Sequence, residues 1–264
     1  MDFSKQKIAL IGIPWDKKSS YLQGPALAPA RIRQALHSAA GNYWTELTVN
    51  PIENALFEDW GDIKVPTYLA IEKQIALALN KGVRTLSLGG DHSIVFPIMK
   101  AYHQFFPPFD ILQIDAHGDL YHEFEGDPHS HACPFARIME NKLTERLVQV
   151  GIRTFNPHQK EQAAKFKVET IEMRDFDAGK RPTFTRPVYI SLDLDGLDPA
   201  FAPGVSHHEP GGLTTREVLR MIQNLEVQII GADVVELNPH RDVSDMTAAV
   251  AAKFVKEIAG KMIE

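Results

Sequence analysis

Residues 110–119 read DILQIDAHGD, a β-prone, mostly apolar run that breaks off into Asp115, His117 and Asp119, spaced two residues apart. A strand with helices on both faces meets water on neither side of its pleat, so it is apolar at nearly every position instead of alternating. Runs of the same kind recur at 7–13, 83–88, 147–152, 188–193 and 227–235. Between them, segments of helical period occupy 28–40, 67–80, 94–105, 135–141, 157–166, 215–224 and 244–263. Strands alternating with helices from end to end predict an α/β fold with three layers, αβα, around a mainly parallel sheet. Thr214 or Thr215, and Ser244, are the expected N-caps, because a short side-chain oxygen can take one of the helix's free N–H groups. No repeat, linker or low-complexity tract interrupts the pattern, so one domain over 1–264 is expected.

With 264 residues, 44% of them hydrophobic, the chain can bury a substantial core. Its 28 lysines and arginines against 34 acids give a net charge of −6, and no basic run is present. That balance argues against nucleic acid or an anionic membrane surface as a partner and favours a small, cationic ligand. Met1 is followed by polar residues, and no apolar segment approaches the ~18 residues a membrane span needs, so a soluble, cytoplasmic protein is expected. Cys133 is the sole cysteine. One thiol builds neither a disulfide nor a cysteine zinc site within a chain, and Cys133 reads as a small buried hydrophobe.

Glycines and prolines gather just after the strands, as GGDHS (89–93), GDL (118–120) and DGLDPAFAPG (195–204). In an open parallel sheet ligands sit beyond the carboxyl ends of the strands, so polar motifs in these exit loops mark a candidate site. Asp115, His117 and Asp119, and likewise Asp193 and Asp195, point to one side when the backbone is extended. Four aspartates gathered in one place without a cation would repel one another until some took up protons. Two divalent ions balance them, and His92, just after the run 83–88, adds a further nitrogen. A cysteine-free set of Asp and His favours manganese-type coordination over structural zinc. Two such ions sharing a water lower its pKa towards neutrality, which makes the expected chemistry hydrolysis.

The segments GGDHS, DAHGD, SHACPFARIME (130–140), SLDLDGLDPAFAPG (191–204), EPGGLTTRE (209–217) and VELNP (235–239) occur in an order and spacing that resembles the ureohydrolase family of arginases and agmatinases. The likeness extends from GIPWD, through SSYLQGPALAPARIR, to the last helix. It implies an arginase-like fold and two manganese ions per subunit, one held by His92, Asp115, Asp119 and Asp193 and the other by Asp115, His117, Asp193 and Asp195. It also implies that Glu236 binds the substrate's guanidinium and that His131 shuttles a proton or steadies the substrate, with His122 and His129 as neighbouring competitors. The implied reaction is attack of a metal-bridging hydroxide on the guanidino carbon, yielding urea and an amine. A homo-oligomer, trimeric or hexameric, is implied as well. Where many members read PGTGTP, this chain reads PGVSHHEP, the form of plant-type arginases, so His207 and His208 stand either as pocket residues or as polar loop residues.

Substrate choice depends on what meets the end of the molecule far from the metals. The loop LYHEFEGDPHSH (120–131) carries Glu123, Glu125 and Asp127 and no lysine or arginine. Acids attract an ammonium and repel a carboxylate, which favours agmatine, cleaved to putrescine and urea, over arginine, cleaved to ornithine and urea. Arg153 in GIRTF and the plant-like segment favour arginine. A formimino acid hydrolase and a non-catalytic metal-binding homologue are the further alternatives.

Overall fold

Five strands buried at every position form the middle of the structure: β1 (Ile8–Gly12), β3 (Arg84–Leu88), β4 (Asp110–Ile114), β7 (Val188–Asp193) and β8 (Ile229–Val235). With β2 (Phe57–Asp62), β5 (Arg146–Ile152) and β6 (Glu169–Glu172) they make one eight-stranded sheet in the order β2-β1-β3-β8-β7-β4-β5-β6. Every neighbouring pair is parallel. The computed structural model describes residues 3–106 and 108–264.

The helices are α1 (Ala28–Leu36), α2 (Ala70–Leu79), α3 (Val95–Phe105), α4 (Pro134–Glu140), α5 (Pro157–Phe166), α6 (Met173–Asp177), α7 (Thr215–Gln223) and α8 (Met246–Ile263). Two hydrophobic cores lie on opposite faces of the sheet. Ile32, Val218 and Phe254 bring α1, α7 and α8 into one; Ile71, Ile98 and Phe135 bring α2, α3 and α4 into the other. Alternate residues of β1 divide between them, Ile8 and Leu10 to the first, Ala9 and Ile11 to the second, as a pleat with a repeat of two requires. The expected αβα architecture is present, with a sheet that is parallel throughout.

Several local expectations are corrected. Strands β2 and β6 have no counterpart among the apolar runs, because edge strands face solvent and here read FEDWGD and ETIE. The short α6 was not expected either. Helix α1 stops at Leu36 instead of residue 40, since residues 38–41 are all exposed and nothing remains for another turn to bury. Thr214 caps α7 as expected, in a reciprocal pair with Glu217. Ser244 does not cap α8: it and Asp245 are both left-handed, at φ 52° and 58°, and the Asp242 carboxylate accepts the N–H groups of Thr247 and Ala248. No helix among the described residues is long and apolar enough to cross a membrane.

Candidate metal centre

The four central strands β3, β8, β7 and β4 leave the sheet at one level, because Leu88 and Leu192 both pair with Val234 and Leu192 also pairs with Ile114. Their exits carry His92, Glu236, Asp193 and Asp115. The neighbouring strands β4 and β7 send the chain in opposite directions, β4 on to β5 towards one edge of the sheet and β7 on to β8 towards the other, and such a switch point opens the crevice in which α/β ligands sit. All six residues expected to bind metal meet there. His92, Asp115 and Asp119 form one group of convergent donor atoms, and Asp115, His117 and Asp195 a second, each with its donors within 4.8 Å of one another. Asp193 joins the first through its Oδ2, 3.1 Å from Nδ1 of His92.

Nδ1 of His92 tests whether these residues suit a cation. It lies 3.1 Å from Asp115 Oδ2 and 3.2 Å from Asp119 Oδ2 as well, and is buried, yet none of the three oxygens stands in line to form a hydrogen bond with it. An imidazole nitrogen with three carboxylate oxygens 3.1–3.2 Å from it and no hydrogen bond among them is the arrangement of donors that would share a bound dication. In the second group Nδ1 of His117 is 3.0 Å from Asp195 Oδ2. The donor set fits divalent metal.

Without a cation the cluster holds protons. Burial, then the charge of Asp115, pushes Asp119 up to about 6; burial, then Asp195 and Asp115, drives Asp193 well above the usual carboxylate range. Burial opposes charge on the imidazoles, but the carboxylates outweigh it, holding His92 far above its ordinary value and His117 up to about 12. Asp115 goes the other way: burial works against it, but His117 and His92 keep it ionised. Bound dications would replace these protons.

A row of polar residues one step below the carboxylates supports His92 and Asp115. Ser87, Asp233, Ser191, Gln113 and Gln149 pair in register across five strands, every one of them fully buried. Ser191 Oγ stands 2.9 Å from His92 Nε2 and donates to Asp233 Oδ1 at 2.8 Å. Gln113 Nε2 donates to Asp115 Oδ2 at 2.8 Å, and Gln149 Nε2 donates to Gln113 Oε1 at 2.7 Å. This row was not singled out from the sequence. Its signal was there: a polar residue at the matching interior position of each of the runs RTLSL, IIGADVV, VYISLD, DILQI and RLVQV.

Over the cluster lies a cavity of about 200 Å³ lined in part by Asp119, Asp193, Asp195, His117, His131, His207 and Glu236. Glu236 is left-handed at φ 65°, and its Oε1 accepts the N–H of His92 at 2.9 Å. Nδ1 of His131 lies 3.0 Å from the same oxygen, while its Nε2 meets the N–H and hydroxyl of Ser20 at 3.2 and 2.8 Å. Burial disfavours an imidazolium at His131, but Glu236 overrides it and raises the group to about 9. Of the competing histidines, His129 stacks on Phe96 and packs against Tyr68, and exposed His122 sits by Glu140; neither lines the cavity. His207 and His208 part company: His207 is on the cavity wall, whereas exposed His208 meets the Pro203 carbonyl at 2.7 Å. Cys133 is fully buried, and burial followed by the charge of Asp119 pushes its thiol up to about 12, consistent with a packing role. A larger hollow between α1 and α8, lined by Arg31, Lys253 and Lys256 among others, shares no residue with the carboxylate cluster.

Ser20, Tyr121, Phe124, Thr154 and Gln159 also line the cavity and carried no sequence signal of their own. The acids behind the agmatine expectation do not line it. Glu123 and Glu125 are exposed, and Asp127 is paired with Lys18 at 2.5 Å. Arg153 is equally unsuited to receive a carboxylate, because its guanidinium donates to the backbone carbonyls of Gly151, Asp195, Gly196, Leu197 and Glu209.

Residues 6–260 match the model of the arginase family. The chain is 45% identical to an Arabidopsis thaliana protein named arginase 1, mitochondrial, over 98% of this chain and 82% of that one. It is 34% identical to an agmatinase of Bacillus anthracis over 97% of this chain and 92% of the relative. The solved arginase of Medicago truncatula superposes with a TM-score of 0.92 at 44% identity, covering 97% of this chain and 87% of the other. Motifs, sheet order and relatives agree that this chain belongs to the arginase family, the ureohydrolases of the arginase and agmatinase type.

Proposed function

We propose that the protein hydrolyses the guanidino group of arginine, releasing urea and ornithine, with two manganese ions held by His92, Asp115, His117, Asp119, Asp193 and Asp195. The observation that carries the metal-dependent reading is Nδ1 of His92, buried with three carboxylate oxygens 3.1–3.2 Å away and without a hydrogen bond to any of them. Bound divalent ions supply a water acidic enough to act as a nucleophile near neutral pH.

The chain's own residues place the substrate. Oε1 of Glu236 is committed to His92 and His131, which leaves Oε2 to accept the N–H groups of a planar guanidinium and hold its carbon over the cluster. His131 carries a proton at Nδ1 within the same cavity, where the departing amine needs one. Oε1 of Gln159, buried on the cavity wall and without a hydrogen-bond partner among the described residues, suits an ammonium.

Arginine replaces agmatine as the favoured substrate for two reasons. The loop acids do not line the cavity, and the relatives named arginase are more similar to this chain than the agmatinase is, at 45% against 34% identity. The test is urea release from arginine, agmatine and 4-guanidinobutyrate by protein stripped with chelator and reloaded with manganese. Activity should vanish on stripping, return on reloading and be greatest with arginine. A preference for agmatine would restore the alternative, and no urea from any of the three would leave a binding protein.

A further inference from the structure

Among the described residues the cavity wall holds no lysine or arginine, so an amino acid substrate poses a problem of its own: its carboxylate needs a donor. Arg153 is spent on carbonyls, Ser20 Oγ is held by His131, and the Thr154 hydroxyl donates to the Ala116 carbonyl. His117 belongs to the second group of convergent donors, and His131 is bound at both ring nitrogens. His207 differs from all of these, and of the wall donors that remain, His207, the Tyr121 hydroxyl and the Gln159 amide, it is the one in ring contact with the two histidines of the guanidino site. Its ring packs 5.3 Å from that of His131 and 5.9 Å from that of His117, and neither of its nitrogens has a hydrogen-bond partner among the described residues. Tyr21, 69% exposed, packs against it from outside at 5.7 Å.

We infer that His207 is a specificity-determining residue whose free ring N–H receives the substrate's carboxylate, so that the enzyme distinguishes arginine from its decarboxylated counterpart. Three features support this. The ring stands beside the two histidines that flank the guanidino site, on the wall of a cavity of about 200 Å³. An imidazole offers at least one N–H in every protonation state, so the donor is always present. Gln159 Oε1 suits the ammonium that arginine and agmatine share, which leaves the carboxylate as the group by which they differ. A site built to pair a polar substrate group rejects the analogue that lacks it, because its own donor is then left unsatisfied.

The inference rests on the proposed arginine hydrolysis, and the experiment separates the two. KM and kcat for arginine and for agmatine are measured on manganese-loaded wild type, His207→Ala, His207→Gln and His208→Ala, with manganese content and melting temperature recorded for each. The ratio of kcat/KM for arginine to that for agmatine should fall at least tenfold in His207→Ala, mainly through KM for arginine. It should be partly restored in His207→Gln, which keeps an N–H donor, and be unaltered in His208→Ala. A wild-type arginine preference that survives intact in His207→Ala overturns the role of His207 alone. Equal losses for the two substrates, or a fall carried by lost manganese, overturn it too. A wild-type preference for agmatine overturns both readings.

Discussion

Nδ1 of His131 lies 3.0 Å from Oε1 of Glu236, so a histidine on the loop before α4 and a glutamate at the exit of β8 act as one unit. The unit divides the carboxylate: one oxygen belongs to the protein and the other is available to a guanidinium. Glu236→Gln preserves shape and removes the charge that a guanidinium requires. Losing one buried, charge-assisted partner costs on the order of 3 kcal/mol, about a hundredfold in kcat/KM. Urea release from arginine should drop by that much with manganese content unaltered, and wild-type turnover would refute the substrate role of Glu236.

The contact between His92 and Ser191 fixes which nitrogen of the imidazole faces the carboxylates. Ser191→Ala and Asp233→Asn break the relay behind it while leaving every proposed ligand in place. Outer partners of this kind commonly alter metal affinity about 10–100-fold. Equilibrium dialysis against manganese should show a loss in that range for both variants; unaltered affinity in both would reduce the row to packing.

Gly90 in GGDHS, in the exit loop of β3, owes its lack of a side chain to close packing. Its φ is not positive; instead a Cβ there would stand 1.7 Å from the carbonyl oxygen of Trp15. Backbone cannot swing aside as a side chain can, so Gly90→Ala should cost roughly 1–3 kcal/mol or more. Thermal unfolding measures it. Gly126→Ala would meet nothing within 4 Å and suffers only the strain of its positive φ of 78°, so it should melt closer to wild type.

Glu46 ties the loop before β2 to α7 and α8 through Arg216, Gln223 and Lys253. Its hydrogen bond to Arg216, above all, lowers its carboxyl from the ordinary 4.5 to about 2. A carboxyl depressed in the folded state stabilises above its unfolded pKa and loses that contribution as pH falls through the folded value. The melting temperature of the wild type should therefore exceed that of Glu46→Gln at pH 6, and the gap should close between pH 4.5 and 2. A gap constant over that window would show the ion pair to be without effect.

Cys133→Ala should leave arginine turnover within twofold of wild type, since the thiol is buried, protonated and outside the cavity lining. Iodoacetamide should label it only after denaturation. Inactivation of the folded enzyme by the reagent would contradict the packing role.

The sequence by itself determined the layers and the metal-type cluster. Buried strands must be apolar, and that many carboxylates require a cation; these are local or compositional constraints, whereas the expected extended alternation does not account for the convergence, because the chain bends at residues 116–117, Asp119 is left-handed at φ 49° and Asp195 lies in a tight turn over Leu194–Gly196. Strand order and register were decided only in the tertiary structure. They align the exits of β3, β8, β7 and β4, stack the row from Ser87 to Gln149 beneath the carboxylates, turn His207 inward and His208 outward, and keep Glu123, Glu125 and Asp127 off the cavity wall. Those outcomes are sums of many weak contacts between residues far apart in the chain, and no short window of residues contains them.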